Sequence, residues 1–202
     1  EHDWAPGAPP VATEITITAR SGDRSVVRMV HSLFSTSDEW DDQMEGFEGG
    51  WPGFFALLRL YLAHFAGSPA SSFMAMQRTG TDALPAWTRL CDALGLSGAS
   101  VGERRTCASG PEPWTGIVEH VHQDHQQRWM IVRTTDPSAG IVLAGTHQSA
   151  AAANDVESKI GKSAGTNVSV CRYFYGNDAA ARSTESEARW RAWMTEAFGG
   201  PL

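Results

Sequence analysis

Apolar and polar residues alternate near the start of the chain. Ile15 and Ile17 lie between Glu14, Thr16 and Thr18, a β-branched run that suits a pleated, half-buried strand. Ser21-Gly22-Asp23-Arg24 marks a turn and Val26 to Phe34 is a second β run, so the pattern predicts a hairpin over residues 12–34. Ser35 to Asp38 reads as a helix N-cap cluster ahead of the acidic stretch Glu39 to Glu48, and Gly49-Gly50 as a break. The period then changes to three and four. Trp51, Phe54, Phe55, Leu58, Tyr61, Leu62 and Phe65 form a stripe that predicts an amphipathic helix opened by Trp51. That helix needs a sheet to lie on, and one hairpin is too small to cover it.

Gly67 to Ser72 is a short linker and the best domain boundary in the chain. Beyond it, Ser72 to Thr79 reads as a strand. Asp82 caps a helix carrying Leu84, Trp87, Leu90, Cys91 and Leu94, which Gly95 ends. Gly102 to Pro113 is mostly loop, with a short strand starting at Thr106. Three β runs follow, at Trp114–His122, Arg128–Thr135 and Gly140–His147. Ser149 to Gly165 is small, polar and aperiodic, and is expected to be a long loop with one helical turn at Ala150–Asn154. Val168 to Tyr175 is the last strand. A final helix presents Trp190, Trp193, Met194, Ala197 and Phe198 on one face, with Thr184 and Glu187 at capping-box spacing at its start.

Both halves close on a strand, a turn and a helix opened by tryptophan, which predicts two related domains in tandem rather than a solenoid. Residues 1–67 form the first, 68–72 the linker and 73–202 the second. The first lacks everything before its closing hairpin, so the sequence is expected to begin in mid-domain.

The strand Val26-Val27-Arg28-Met29-Val30-His31-Ser32, the acidic Glu39-Trp40-Asp41-Asp42, and the helix opening Gly49-Gly50-Trp51-Pro52-Gly53-Phe54-Phe55 carry a resemblance. They resemble the closing segment of the START-like (SRPBCC) superfamily, in the branch of homologues of the heat-shock-protein ATPase activator. The second unit resembles a more divergent member, by element order and by Tyr173-Phe174-Tyr175-Gly176-Asn177-Asp178 ahead of Trp190-Arg191-Ala192-Trp193. The resemblance implies an α+β helix-grip fold, a curved antiparallel sheet wrapped around a long C-terminal helix, with one truncated unit and one more complete unit. The gap between sheet and helix would hold an apolar ligand. Cavity candidates are Trp87, Trp114, Val118, Trp129, Ile131, Phe174, Trp190 and Met194, although for any single one plain core is the favoured reading. The strand-borne polar candidates are Glu119, His120, Arg133, His147 and Arg172.

Composition narrows the classes. With 202 residues, 42% hydrophobic and 19% charged, the chain can bury a core, so wholesale disorder is excluded. The longest apolar stretch, Trp51 to Gly67, carries Arg59 and His64 and falls short of the roughly 20 residues a bilayer demands. A net charge of −7 without a basic stripe argues against a nucleic-acid partner. Glu1 to Pro10 is proline-rich and lacks an apolar h-region, so no signal peptide is expected there. Cys91, Cys107 and Cys171 are widely spaced and odd in number, which fits the reduced thiols of a cytoplasmic protein.

Several motifs are weak. His120 and His122 share a strand face and His125 follows from the turn, but no Glu or Cys completes a zinc set, and a solvated hairpin tip is expected. Gly161-Lys162-Ser163 lacks the first glycine of a P-loop, since Val156 stands there. Glu39, Asp41, Asp42, Glu45 and Glu48 do not follow a calcium-loop pattern. His31 and His64 have no placed nucleophile, and no Gly-x-Ser-x-Gly occurs. Neither cofactor nor metal is therefore expected. The leading expectation is a non-catalytic START-like protein binding a small hydrophobic molecule. The alternatives are a co-chaperone-like interaction module, with self-association through the incomplete first unit, and a cyclase-like enzyme using a cavity carboxylate or histidine.

Overall fold

The computed structural model describes residues 11–22, 24–33, 41–125, 127–148 and 165–199, and of residues 33 and 41–50 the backbone only. The expected N-cap cluster at residues 35–38, the loop at 149–164 and Gly161-Lys162-Ser163 lie outside these residues. No helix among the described residues is long and apolar enough to cross a membrane. The chain divides into two compact units, Glu1–Phe54 and Phe55–Leu202.

In the first unit, β1 (Val11–Arg20) and β2 (Arg24–Leu33) pair antiparallel without a slip, from Val11 opposite Leu33 to Arg20 opposite Arg24. Gly22 takes φ 73° in the turn, a conformation that favours glycine. Strand periodicity sorts the faces. Ile15 and Ile17 lie with Met29 and Val27, while Glu14, Thr16, Thr18 and Arg20 lie with Arg28, Val26 and Arg24. The Thr13 hydroxyl meets His31 Nδ1 at 2.8 Å, and the His31 ring stacks on Trp51 at 5.0 Å.

The helix α1 runs over Asp41–His64 and so serves both units. It begins well before Trp51, and the acidic stretch expected as a connector is helical from Asp41. Glycine within a helix costs about 1 kcal/mol, but it ends a helix when φ turns positive, as at Gly67 (φ 77°). Gly49, Gly50 and Pro52 are all carried inside α1. The stripe buried in the second unit also differs from the expected one. Of the expected residues Phe65 is buried and Tyr61 packs beside it, whereas Phe54, Leu58 and Leu62 are 58%, 40% and 60% exposed, and Ala56 and Leu57, outside that stripe, are buried.

The second unit continues with β3 (Ala70–Thr79), α2 (Ala83–Leu94), β4 (Arg104–Cys107), β5 (Trp114–Gln123), β6 (Gln127–Asp136), β7 (Gly140–Gln148), β8 (Thr166–Tyr175) and α3 (Ala179–Phe198). Its strands form one six-stranded sheet in the order β3-β8-β7-β6-β5-β4, antiparallel throughout. This is an α+β fold with a long C-terminal helix, an arrangement compatible with a helix grip. Gly95 ends α2 at φ 68°, and a Cβ there would lie 2.4 Å from the Thr106 carbonyl oxygen, so both conformation and space require glycine. The capping box expected at Thr184 is absent. The helix α3 already starts at Ala179, and the Thr184 hydroxyl donates to the Ala180 carbonyl at 3.0 Å.

Helices cover both faces of this sheet. On one, Trp87, Leu90 and Leu94 of α2 and Trp190, Met194 and Phe198 of α3 pack with Trp114, Val118, Val132, Val142, Val170 and Phe174. On the other, Ala56 and Leu57 of α1 and Phe65 just beyond its end pack with Trp129, Ile131 and Ile141. The Phe65 ring stacks on Tyr175 at 4.0 Å. The expected linker at 68–72 lies inside the second compact unit, which begins within α1 at Phe55, and Ala56, Leu57 and Phe65 pack against its sheet.

Candidate functional site

The strand β8 alternates strictly: Thr166, Val168, Val170, Arg172 and Phe174 are buried, and the residues between them are intermediate. Val168, Val170 and Phe174 belong to the core under α2 and α3, so Arg172 is delivered to that same face. It is only 8% exposed. Its guanidinium sits over two rings, 5.3 Å from the Phe174 centroid and 5.5 Å from that of Trp190.

The nearest carboxylate is Glu112, which lies between Pro111 and Pro113 just ahead of β5. Its Oε2 accepts from Ser186 Oγ at 2.6 Å and from Trp190 Nε1 at 2.9 Å. Its Oε1 accepts from Arg189 Nε at 3.0 Å and Nη2 at 2.6 Å. These donors use up the roughly four acceptor positions of a carboxylate. Arg172 Nη2 therefore stands 4.0 Å from Oε2, too far for a hydrogen bond. Its Nε and Nη1 are buried without a hydrogen-bond partner among the described residues, as is the indole Nε1 of Trp114.

Burial works against the charge of Arg172 and pulls its pKa down to about 10, with Glu112 opposing the shift, so it remains a cation at neutral pH. For Glu112, burial favours the neutral acid. The hydrogen bonds from Ser186, Trp190 and Arg189, together with the Arg172 charge, outweigh it and hold the carboxyl below its ordinary value. The result is an apolar, aromatic interior containing a cation with two donors, Nε and Nη1, that have no acceptor among the described residues. That arrangement can bind and orient an acceptor group.

The structure separates the sequence candidates by face. Trp87, Trp114, Val118, Phe174, Trp190 and Met194 share the α2–α3 side with Arg172. Trp129 and Ile131 lie on the opposite side, under α1. A bulge between Val118 and His120 turns His120 and His122 toward Trp129, at ring distances of 5.3 and 5.0 Å. Arg133 and Glu119 form an ion pair at 2.6 Å, and strand parity sets Arg133 on the side of Trp129 and Ile131. Parity sets His147 with Ile141 on that side too, where Asn167 Nδ2 lies 3.1 Å from its Nε2. Glu119, His120, Arg133 and His147 thus do not face α3; of the polar candidates, Arg172 alone does.

His122 Nε2 meets Asp124 at 2.7 Å, and His125 is exposed. Among the described residues no group of three His, Cys, Asp or Glu side chains is placed to hold a metal. The three cysteines are free thiols. Burial pushes Cys91 up to about 12, with Asp92 adding to it, and burial pushes Cys171 up to about 11. Both are unreactive at neutral pH. Sequence reasoning missed Glu112, Ser186 and Arg189. A signal existed for the last two, because Ser186, Arg189, Trp190 and Trp193 recur at spacings of three and four along α3.

No family model and no curated protein matches the chain. Among solved structures, the crystal structure of the Mll3558 protein from Rhizobium loti is similar over 65% of this chain and 96% of its own, at 14% identity and a TM-score of 0.37. Likeness at that level assigns neither family nor function.

Proposed function

We propose that this chain is a START-like, helix-grip binding protein without a catalytic role, whose second unit takes up a small hydrophobic molecule bearing a carboxylate between the sheet and α3. The single observation that carries the reading is Arg172, buried among Phe174 and Trp190 with Nε and Nη1 unpartnered. A buried donor without an acceptor costs about 1–3 kcal/mol, and a carboxylate is the group that satisfies a guanidinium donor most strongly, through a charge-assisted hydrogen bond. The surrounding aromatic and aliphatic side chains would take the apolar body. In this reading the first unit is the closing part of a related domain.

The test compares decanoic acid with decanol on the full chain, by calorimetry and by native mass spectrometry. The acid is expected to bind about 10–100-fold more tightly, the worth of a charged hydrogen bond. Arg172→Met removes the cation while keeping bulk and is expected to leave folding intact and abolish that preference. Arg172→Lys, which keeps charge but loses the fork, is expected to retain part of it. Equal affinity for the two probes, or a preference untouched by Arg172→Met in a folded variant, would refute the reading.

A further inference from the structure

In the first unit, β1 has β2 on one edge and no strand on the other among the described residues. Residues 12–20 are exposed, with Ile15 at 60% and Ile17 at 69%. The strand has no proline and pairs without a bulge, so its open edge offers a continuous row of backbone donors and acceptors. Its two faces differ in chemistry. Ile15, Ile17 and Ala19 lie on one, and Glu14, Thr16, Thr18 and Arg20 on the other.

We propose that two copies of this chain join antiparallel through β1 around a two-fold axis at Ile17, forming a four-stranded sheet. Residues directly opposite in an antiparallel pair share a face. A two-fold axis through a residue therefore keeps both apolar faces on the same side, whereas an axis between residues sets them on opposite sides. Among axes through a residue of β1, the one at Ile17 alone opposes unlike charges. It sets Glu14 against the partner's Arg20, Thr16 against the partner's Thr18, Ile15 against the partner's Ala19 and Ile17 against the partner's Ile17. The symmetry makes each pairing occur twice. The other edge of the hairpin is unsuited, since β2 carries Arg24 and Arg28 and no acid.

Sedimentation velocity of the full chain over a rising concentration series tests this. A reversible monomer–dimer equilibrium is expected. Glu14→Arg sets like charges opposite each other twice and is expected to weaken the dimer about tenfold or more. The double variant Glu14→Arg, Arg20→Glu restores opposite charges and is expected to return to within about threefold of the parent. Ile17→Cys is expected to give a disulfide-linked dimer under mild oxidation, and Thr13→Cys, which would face Ser21, is not. All these positions are exposed, and circular dichroism is expected to show unchanged folding. A monomer at every concentration, a dimer indifferent to Glu14→Arg, or a double variant as weak as the single one would overturn the proposal.

Discussion

The hairpin of the first unit and the sheet of the second are built from the same kind of strand and end in different states. β1 and β8 are both ten residues long and antiparallel-paired, and both are rich in β-branched residues. In β8 every second residue is buried under helices, whereas in β1 only Val11 escapes full exposure. Alternation shows that a strand will form and which residues share a face. It does not show what will cover that face, because cover is supplied by distant segments. The helix α1 draws the same contrast within one element, with Leu57 buried on the sheet and its neighbour Leu58 exposed.

The largest effects are expected in the covered region. Trp190 is fully buried and donates to Glu112, so Trp190→Ala is expected to lower stability by about 3–5 kcal/mol in denaturant melts. A loss below about 1 kcal/mol would mean that the Trp190 ring is not buried in the folded chain. One layer away, Leu57→Ala is expected to cost about 2–3 kcal/mol, because Leu57 fills the opposite face of the sheet with Ile131 and Ile141. Deleting residues 1–54 should leave a cooperatively folding chain. Deleting residues 1–68 removes that cover and should lower the melting temperature further.

Glu112 ties the stability of the covered region to pH. Its folded pKa lies below the ordinary 4.5, so its contribution is present above that value and is lost as pH falls through the folded one. The stability gap between the parent and Glu112→Gln is expected to be constant near neutrality and to shrink below about pH 4.5. A gap that holds steady into acid would show that the carboxylate charge is not what the Ser186, Trp190 and Arg189 donors stabilise. The smallest effects belong to the uncovered region. Phe54→Ala and Ile15→Thr are expected to change the stability of the second unit by no more than about 0.5 kcal/mol in the same melts.

Much of the second unit was legible in the sequence because its signals are local. Gly95 after the Leu84–Leu94 periodicity, the β runs from Trp114 onward and the final Trp190–Phe198 face all became the expected elements. Three features were not legible. The end of the first unit was hidden because α1 is apolar on more than one side, so Phe54, Leu58 and Leu62 gave as strong a stripe as Ala56, Leu57 and Phe65. The inward face of β8 was hidden because Tyr173 and Tyr175 make its other face as apolar as Val168, Val170 and Phe174. Glu112 was hidden because a loop brings it to α3, and no spacing rule links a Pro-Glu-Pro segment to a helix that far along the chain.

Hydrogen exchange followed by mass spectrometry on the dilute, monomeric full chain tests the central contrast most directly. Amides of β6, β7 and β8, and of α1 from Phe55 to His64, are expected to exchange together near the global unfolding free energy, while those of β1 and β2 exchange orders of magnitude faster. Equal protection of β1–β2 and the central sheet in the monomer would contradict the account, since the hairpin would then have cover that its exposed faces do not show.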